Sequence, residues 1–147
     1  MVSRSAFALR IERMSDAFDI PVGTSATEQV TVTRDLTVAF RAPGMPEVYA
    51  TPEMIWLLEL ASAHTIQPLL PPGWVSVGTE VNVSHLAATP VGLVVRASAK
   101  VIAVSGRTVT FAVEAHDGVE LIGEGMHTRV LVDRDRFSQR VSGKSLR

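Results

Sequence analysis

The sequence predicts an α+β domain in which an antiparallel sheet of about five strands wraps one long central helix. Three observations carry that prediction. Pro52 to Gln67 is a long apolar stretch, bounded by prolines and free of internal glycine. The segments after it alternate apolar and polar residues as half-buried strands do. The last connections, Ser105-Gly106 and Asp117-Gly118, are two-residue turn sequences of the kind that join antiparallel neighbours.

The elements follow in order. Residues 1 to 23 mix Arg, Ser, Ala and isolated Phe, and Pro21 and Gly23 break the chain before the first strand. They read as a loosely ordered extension. Arg4 and Arg10 with Ser3 and Ser5 have the composition of a transit peptide, and Glu12 and Asp16 count against one. Glu28 to Phe40, EQVTVTRDLTVAF, suits one or two half-buried strands, and RAPGMP at 41 to 46 ends them. The helix over Pro52 to Gln67 has about four turns. Thr51 suits its N-cap, Pro52 its first position, and Glu53 the acid-favouring first turn. Strands are predicted at Trp74 to His85, Leu93 to Val104, Arg107 to His116 and Val119 to Val132, a long antiparallel meander. From Asp133 the chain is polar and expected to fray. The folded domain is thus placed at 24 to 141, with a flexible tail at 142 to 147.

Composition narrows the function. With 147 residues, 46% of them apolar and 20% charged, the chain is the size and make-up of one globular domain. Its positive mean hydropathy fits surface covered by a partner subunit. Fourteen basic and fifteen acidic residues leave a net charge of −1, so no basic field exists to bind nucleic acid. The chain has no cysteine, which removes disulfides, thiolate nucleophiles and Cys-based metal sites, and a reducing cytoplasm fits. No apolar run approaches the roughly 20 residues that span a bilayer. A phosphate loop at Gly143-Lys144-Ser145 is rejected because Ser138 stands where its first glycine belongs.

Few residues are placed to carry chemistry. Glu59 is flanked by Met54, Ile55, Trp56, Leu57, Leu58, Leu60 and Ala61, so apolar side chains cover nearly every face of its helix. A carboxylate there costs several kcal/mol of desolvation unless paired or hydrogen-bonded. Two readings remain: an acid at a polar stripe or dimer seam paired with an arginine, or a general base or nucleophile. Thr51 stands where backbone N–H groups converge, either as a plain cap or beside a place for negative charge on a carbonyl oxygen. His85 ends a strand and is either a surface residue or the imidazole of a set with Thr51 and Glu59. Gly123, Gly125, His127 and Arg129 share one strand face, either as a pocket floor beside a cation or with the glycines marking a bulge or a close approach of another backbone and Arg129 a solvated charge. His64 and His116 read as structural. No spacing suggests a metal site. Arg96, Lys100 and Arg107 could meet phosphates of a carrier such as coenzyme A, but no site for it can be assigned.

The motifs PEVYAT, VGTEVNVSH and AHDGVELIGEGMHTR, with Glu59 eight positions after Thr51 and His85 26 positions after Glu59, resemble the fluoroacetyl-CoA thioesterase family of the hot-dog superfamily. The resemblance runs from Val22 to Val141 and is densest from Pro46 to Val132. It implies a catalytic set of Thr51, Glu59 and His85, with Gly78 as a backbone contact for the thioester and Arg129 as a pocket residue. It also implies a homodimer with sites near the subunit interface, needing no metal and no cofactor beyond the coenzyme A of its acyl-CoA substrate. One departure bears on specificity: the aromatic lid segment that precedes PEV in the family shrinks here to RAPGM, so a different or broader acyl group is expected. The expected activity is hydrolysis of a short or small acyl-CoA. The alternatives are a non-catalytic acyl-CoA sensor on the same fold and an enoyl-CoA hydratase, whose short Asp-His motif is not found.

Overall fold

In the computed structural model, which describes residues 18–144, the elements run β1 (Ser25–Thr31), α1 (Val38–Arg41), α2 (Thr51–Ile66), β2 (Trp74–His85), β3 (Val94–Ser105), β4 (Thr108–His116), β5 (Leu121–Asp133) and α3 (Arg134–Ser142). The strands form one antiparallel sheet in the order β1-β3-β4-β5-β2. Gly106, at φ 59°, supplies the left-handed conformation that the tight β3–β4 turn needs. The order departs from a plain meander. β1 takes the outer edge of β3, so β2 pairs instead with β5 at the far edge.

The sheet curls around α2. Met54, Leu57, Leu58, Ala61 and Ile66 from the helix meet Val95, Ala97, Val101, Phe111, Ala115, Ile122 and Leu131 in one buried cluster. Each large side chain in it contributes roughly 1.5–3 kcal/mol by leaving water. A Cβ on Gly123 would lie 2.5 Å from Met54 Sδ, so that glycine lets the first helical turn press against β5. The helix is not buried all round: Met54 is fully buried, while Trp56 is 57% exposed.

Four expectations change. Val38–Arg41 is a helical turn, not strand, because β1 ends at Thr31 and Tyr49 and Thr37 bridge the segment to the loop before α2. β5 starts at Leu121, not Val119, because the Asp117 carboxylate captures the amides of Val119 and Glu120 at 2.9 Å each. Thr89 donates to the same carboxylate at 2.9 Å, tying the β2–β3 connection to this turn. The segment from Asp133 begins with α3, whose N-cap Asp133 accepts from Asp135 and Arg136 N–H. Finally, the end of the expected extension is packed: Phe18 meets Trp74 edge-to-face at 4.8 Å and Ile20 is buried in the core. Residues 1–17 of that extension lie outside the described residues, as do tail residues 145–147. Among the described residues no helix is long and apolar enough to cross a membrane.

Candidate active site

The sequence places a threonine before a proline at the start of α2, and the structure gives its hydroxyl an unexpected task. Ala50 is the N-cap and makes no side-chain bond, while Thr51 opens the helix itself. The Thr51 hydroxyl is therefore free of capping and lies 2.7 Å from His85 Nδ1 at the end of β2. His85 Nε2 is buried with no hydrogen-bond partner among the described residues. Desolvation holds this imidazole below its ordinary pKa, with the backbone of Ala87 opposing the shift. Val38, Val48, Tyr49, Leu86 and Ala87 join the pair around a cleft of about 360 Å³. Tyr49 closes its inner wall by donating to the Glu53 carbonyl at 3.0 Å. Burial, and then the charge of Glu53, push that phenol up, so it stays a neutral donor.

Glu59 lies two turns further along α2, and its carboxylate packs against Gly78 on β2. A Cβ at Gly78 would stand 2.6 Å from Glu59 Oε1, 3.1 Å from His127 Cε1 and 3.5 Å from Arg129 Nη1, so a side chain there would fill the place where these groups converge. The strand is shaped for this. Gly78 pairs with Arg129, and the register slips between Gly78 and Glu80, leaving Thr79 as the extra residue of a bulge. The bulge turns the Glu80 carbonyl to His127 Nδ1 at 2.8 Å.

Arg129 is held on three sides. Its Nε donates to Ser76 Oγ at 2.8 Å, Nη2 to the Ser76 carbonyl at 2.8 Å, and Nη1 to His127 Nε2 at 3.1 Å. Burial lowers the guanidinium from its ordinary pKa and the charge of Glu59 opposes that. Of the two readings of the β5 glycine face, neither holds whole. Arg129 is a buried cation, 7% exposed, while Gly123 is filled by Met54 rather than opening a floor and Gly125 meets the Asn82–Val83 backbone closely.

The predicted residues thus fall into two groups within one chain: Thr51 with His85, and Glu59 with Gly78 and Arg129. Eight helical residues separate Thr51 from Glu59, about 12 Å along the axis. One member, Ser76, escaped sequence reasoning, and another, His127, reads only as part of the β5 face with no role of its own. His127 had a signal, its place two residues before Arg129 on one face; Ser76 had none. His64 pairs with Glu28, and His116 accepts from the Gly118 amide at 3.1 Å, both away from either group. Among the described residues no three of His, Cys, Asp and Glu are arranged to hold a metal ion.

A curled antiparallel sheet around one helix, with a mid-helix carboxylate against a strand glycine, defines a hot-dog-fold protein. The fold is shared with a hot-dog-like protein from Thermanaerovibrio acidaminovorans, at TM-score 0.79 and 27% identity over 91% of this chain and 98% of that one. Residues 32–135 match the profile of the family described as fluoroacetyl-CoA-specific thioesterase. The fluoroacetyl-CoA thioesterase of Streptantibioticus cattleyicolor is 43% identical over 100 residues, 68% of this chain and 72% of its own. A variant of the fluoroacetyl-CoA thioesterase FlK in complex with fluoroacetate superposes with TM-score 0.82 at 37% identity, covering 86% of this chain and all of that one. The chain belongs to the fluoroacetyl-CoA-specific thioesterase family.

Proposed function

We propose that the protein hydrolyses short acyl-CoA thioesters as a homodimer, with no metal or further cofactor, and that each site takes Thr51 and His85 from one chain and Glu59, Gly78 and Arg129 from the other. The observation that carries this is the buried, unpaired Nε2 of His85, whose other nitrogen is already bonded to Thr51 while the Glu59 of the same helix lies two turns away. Such an atom costs about 1–3 kcal/mol unless a group beyond the described residues meets it.

The edge of the sheet supports a second copy as the source. β2 is a 12-residue edge strand, and five successive residues, Gly78 to Asn82, are exposed where a strand normally alternates. Antiparallel pairing of two such edges about a two-fold runs Gly78 of one chain toward His85 of the other. The exposed Trp56, one turn before Glu59 on α2, adds apolar surface beside the same seam.

In the proposed reaction the substrate carbonyl is polarised by backbone N–H groups at the start of α2 or at Gly78. Glu59 either takes a proton from the attacking water or attacks the carbonyl itself. In the second course the thioester C–S bond breaks to a mixed anhydride, which water opens. His85 orients water or protonates the departing thiolate, and Thr51 fixes the imidazole. The short RAPGM segment at Arg41 to Met45, with Phe40 and Met45 exposed rather than folded over the cleft, supports a broader acyl preference than fluoroacetyl alone. The absence of cysteine and of a basic field supports a cytoplasmic enzyme of soluble substrates rather than of nucleic acid. The test is a panel of acyl-CoAs with trapping of free thiol. Wild type releases thiol and Glu59→Gln loses about 10³-fold in kcat with its fold intact. Saturable binding without release, or full activity in Glu59→Gln, contradicts the proposal.

A further inference from the structure

His127, which the sequence placed on the Arg129 face without a role of its own, has both ring nitrogens bonded. His127 is 2% exposed and its ring stacks on Phe111, with centroids 6.3 Å apart. Nδ1 faces the carbonyl of Glu80, which only accepts, so Nδ1 carries the proton. Nε2 faces an N–H of Arg129, which only donates, so Nε2 presents a lone pair. The two neighbours therefore fix a neutral ring and a single tautomer. It follows that the 4.0 Å approach of Nε2 to Glu59 Oε1 is neither a hydrogen bond nor an ion pair. The cation that faces the Glu59 carboxylate is Arg129, and among the described residues His127 and Ser76 are the two side chains that hold it.

We propose that His127 is a positioning residue for the thioester chemistry: as a tautomer-locked acceptor it aims the Arg129 guanidinium at the point beside Gly78 where Glu59 acts. The bulge at Thr79 belongs to the same device, since it delivers the Glu80 carbonyl that fixes the tautomer. Without the acceptor at Nε2, Nη1 has no partner on the sheet side and the guanidinium pivots about its bonds to Ser76. A displacement of about 1 Å at a charged group facing the reacting atoms lowers turnover by about 100-fold.

The test, which rests on the thioesterase function proposed above, compares wild type, His127→Asn and His127→Gln on the acyl-CoA that wild type turns over fastest, with thermal unfolding measured alongside. Asn keeps an N–H at the Nδ1 place for the Glu80 carbonyl and offers no acceptor at Nε2; Gln places its amide oxygen near Nε2. His127→Asn is expected to lose about 100-fold in kcat with KM within about threefold, and His127→Gln to regain most of kcat. An unimpaired Asn variant, or equal losses in both, overturns the proposal. If Asn does not fold, Gln decides alone: kcat near wild type supports the role, and kcat as low as that of Glu59→Gln overturns it. A wild type inactive on the whole panel overturns the thioesterase function and this role together, whereas an active wild type with an unimpaired Asn variant overturns only the role of His127.

Discussion

At the scale of single residues, the hydroxyl of Thr51 and the imidazoles of His85 and His127 behave differently from their sequence neighbourhoods. Thr51 sits at a helix start, where a side-chain cap is worth about 1 kcal/mol, yet it caps nothing. Thr51→Val should therefore cost only the one hydrogen bond to His85, about 0.5–1.5 kcal/mol in urea titration, while turnover drops because His85 loses its partner. Unimpaired turnover in Thr51→Val would contradict a role for the hydroxyl in holding His85. Both imidazoles have pKa values lowered from 6.5, in each case chiefly by desolvation. The unfolded chain then binds protons at these positions that the folded chain refuses, so stability falls as pH drops below about 6.5 toward the lowered folded values. Urea midpoints measured from pH 7 to pH 5 should decline, and less steeply in His127→Gln; an unchanged slope would contradict the buried neutral ring. Glu59 was legible as an anomaly because apolar neighbours cover its helix. His127 was legible only as a member of the Arg129 face; its role was not, since a histidine on a strand looks the same whether its nitrogens are claimed or free.

Among elements, the junction of α2 with β2 decides the site, and it turns on a missing side chain. Gly78 has no left-handed φ, so alanine fits its backbone, but the new Cβ would stand 2.6 Å from Glu59 Oε1. Gly78→Ala is expected to fold and to lose at least 10-fold in kcat as the carboxylate is pushed aside. A fully active Gly78→Ala would mean that Glu59 acts from another position. The strands, their turns and the central helix could be read from periodicity and from the glycines at 106 and 118. Sheet order could not, because alternation says which face of a strand is buried and nothing about its neighbour. β2 reads like β3 in sequence, yet one is an edge and the other interior. The helical turn at Val38–Arg41 was hidden by the strand-like residues Val38 and Phe40, and the helix after Asp133 by having only Phe137 and Val141 as apolar residues. A single cap at Asp133 organises the latter, and Asp133→Ala should cost α3 about 1 kcal/mol.

Over the whole molecule, the two halves of the proposed site lie on different stretches of the same helix. Resemblance placed Thr51, Glu59 and His85 in one set, and the spacing along α2 requires about 12 Å between the first two. Two chains joined at β2 reconcile these facts, and that joining is the central claim. It is tested by co-expressing Thr51→Val and Glu59→Gln chains under different tags and assaying the mixed protein. A heterodimer of the two carries one doubly altered site and one site with wild-type Thr51, His85 and Glu59. With random pairing, about a quarter of wild-type activity should return from two chains that are each nearly inactive alone. A mixture no more active than its parents would mean that each site is built within a single chain.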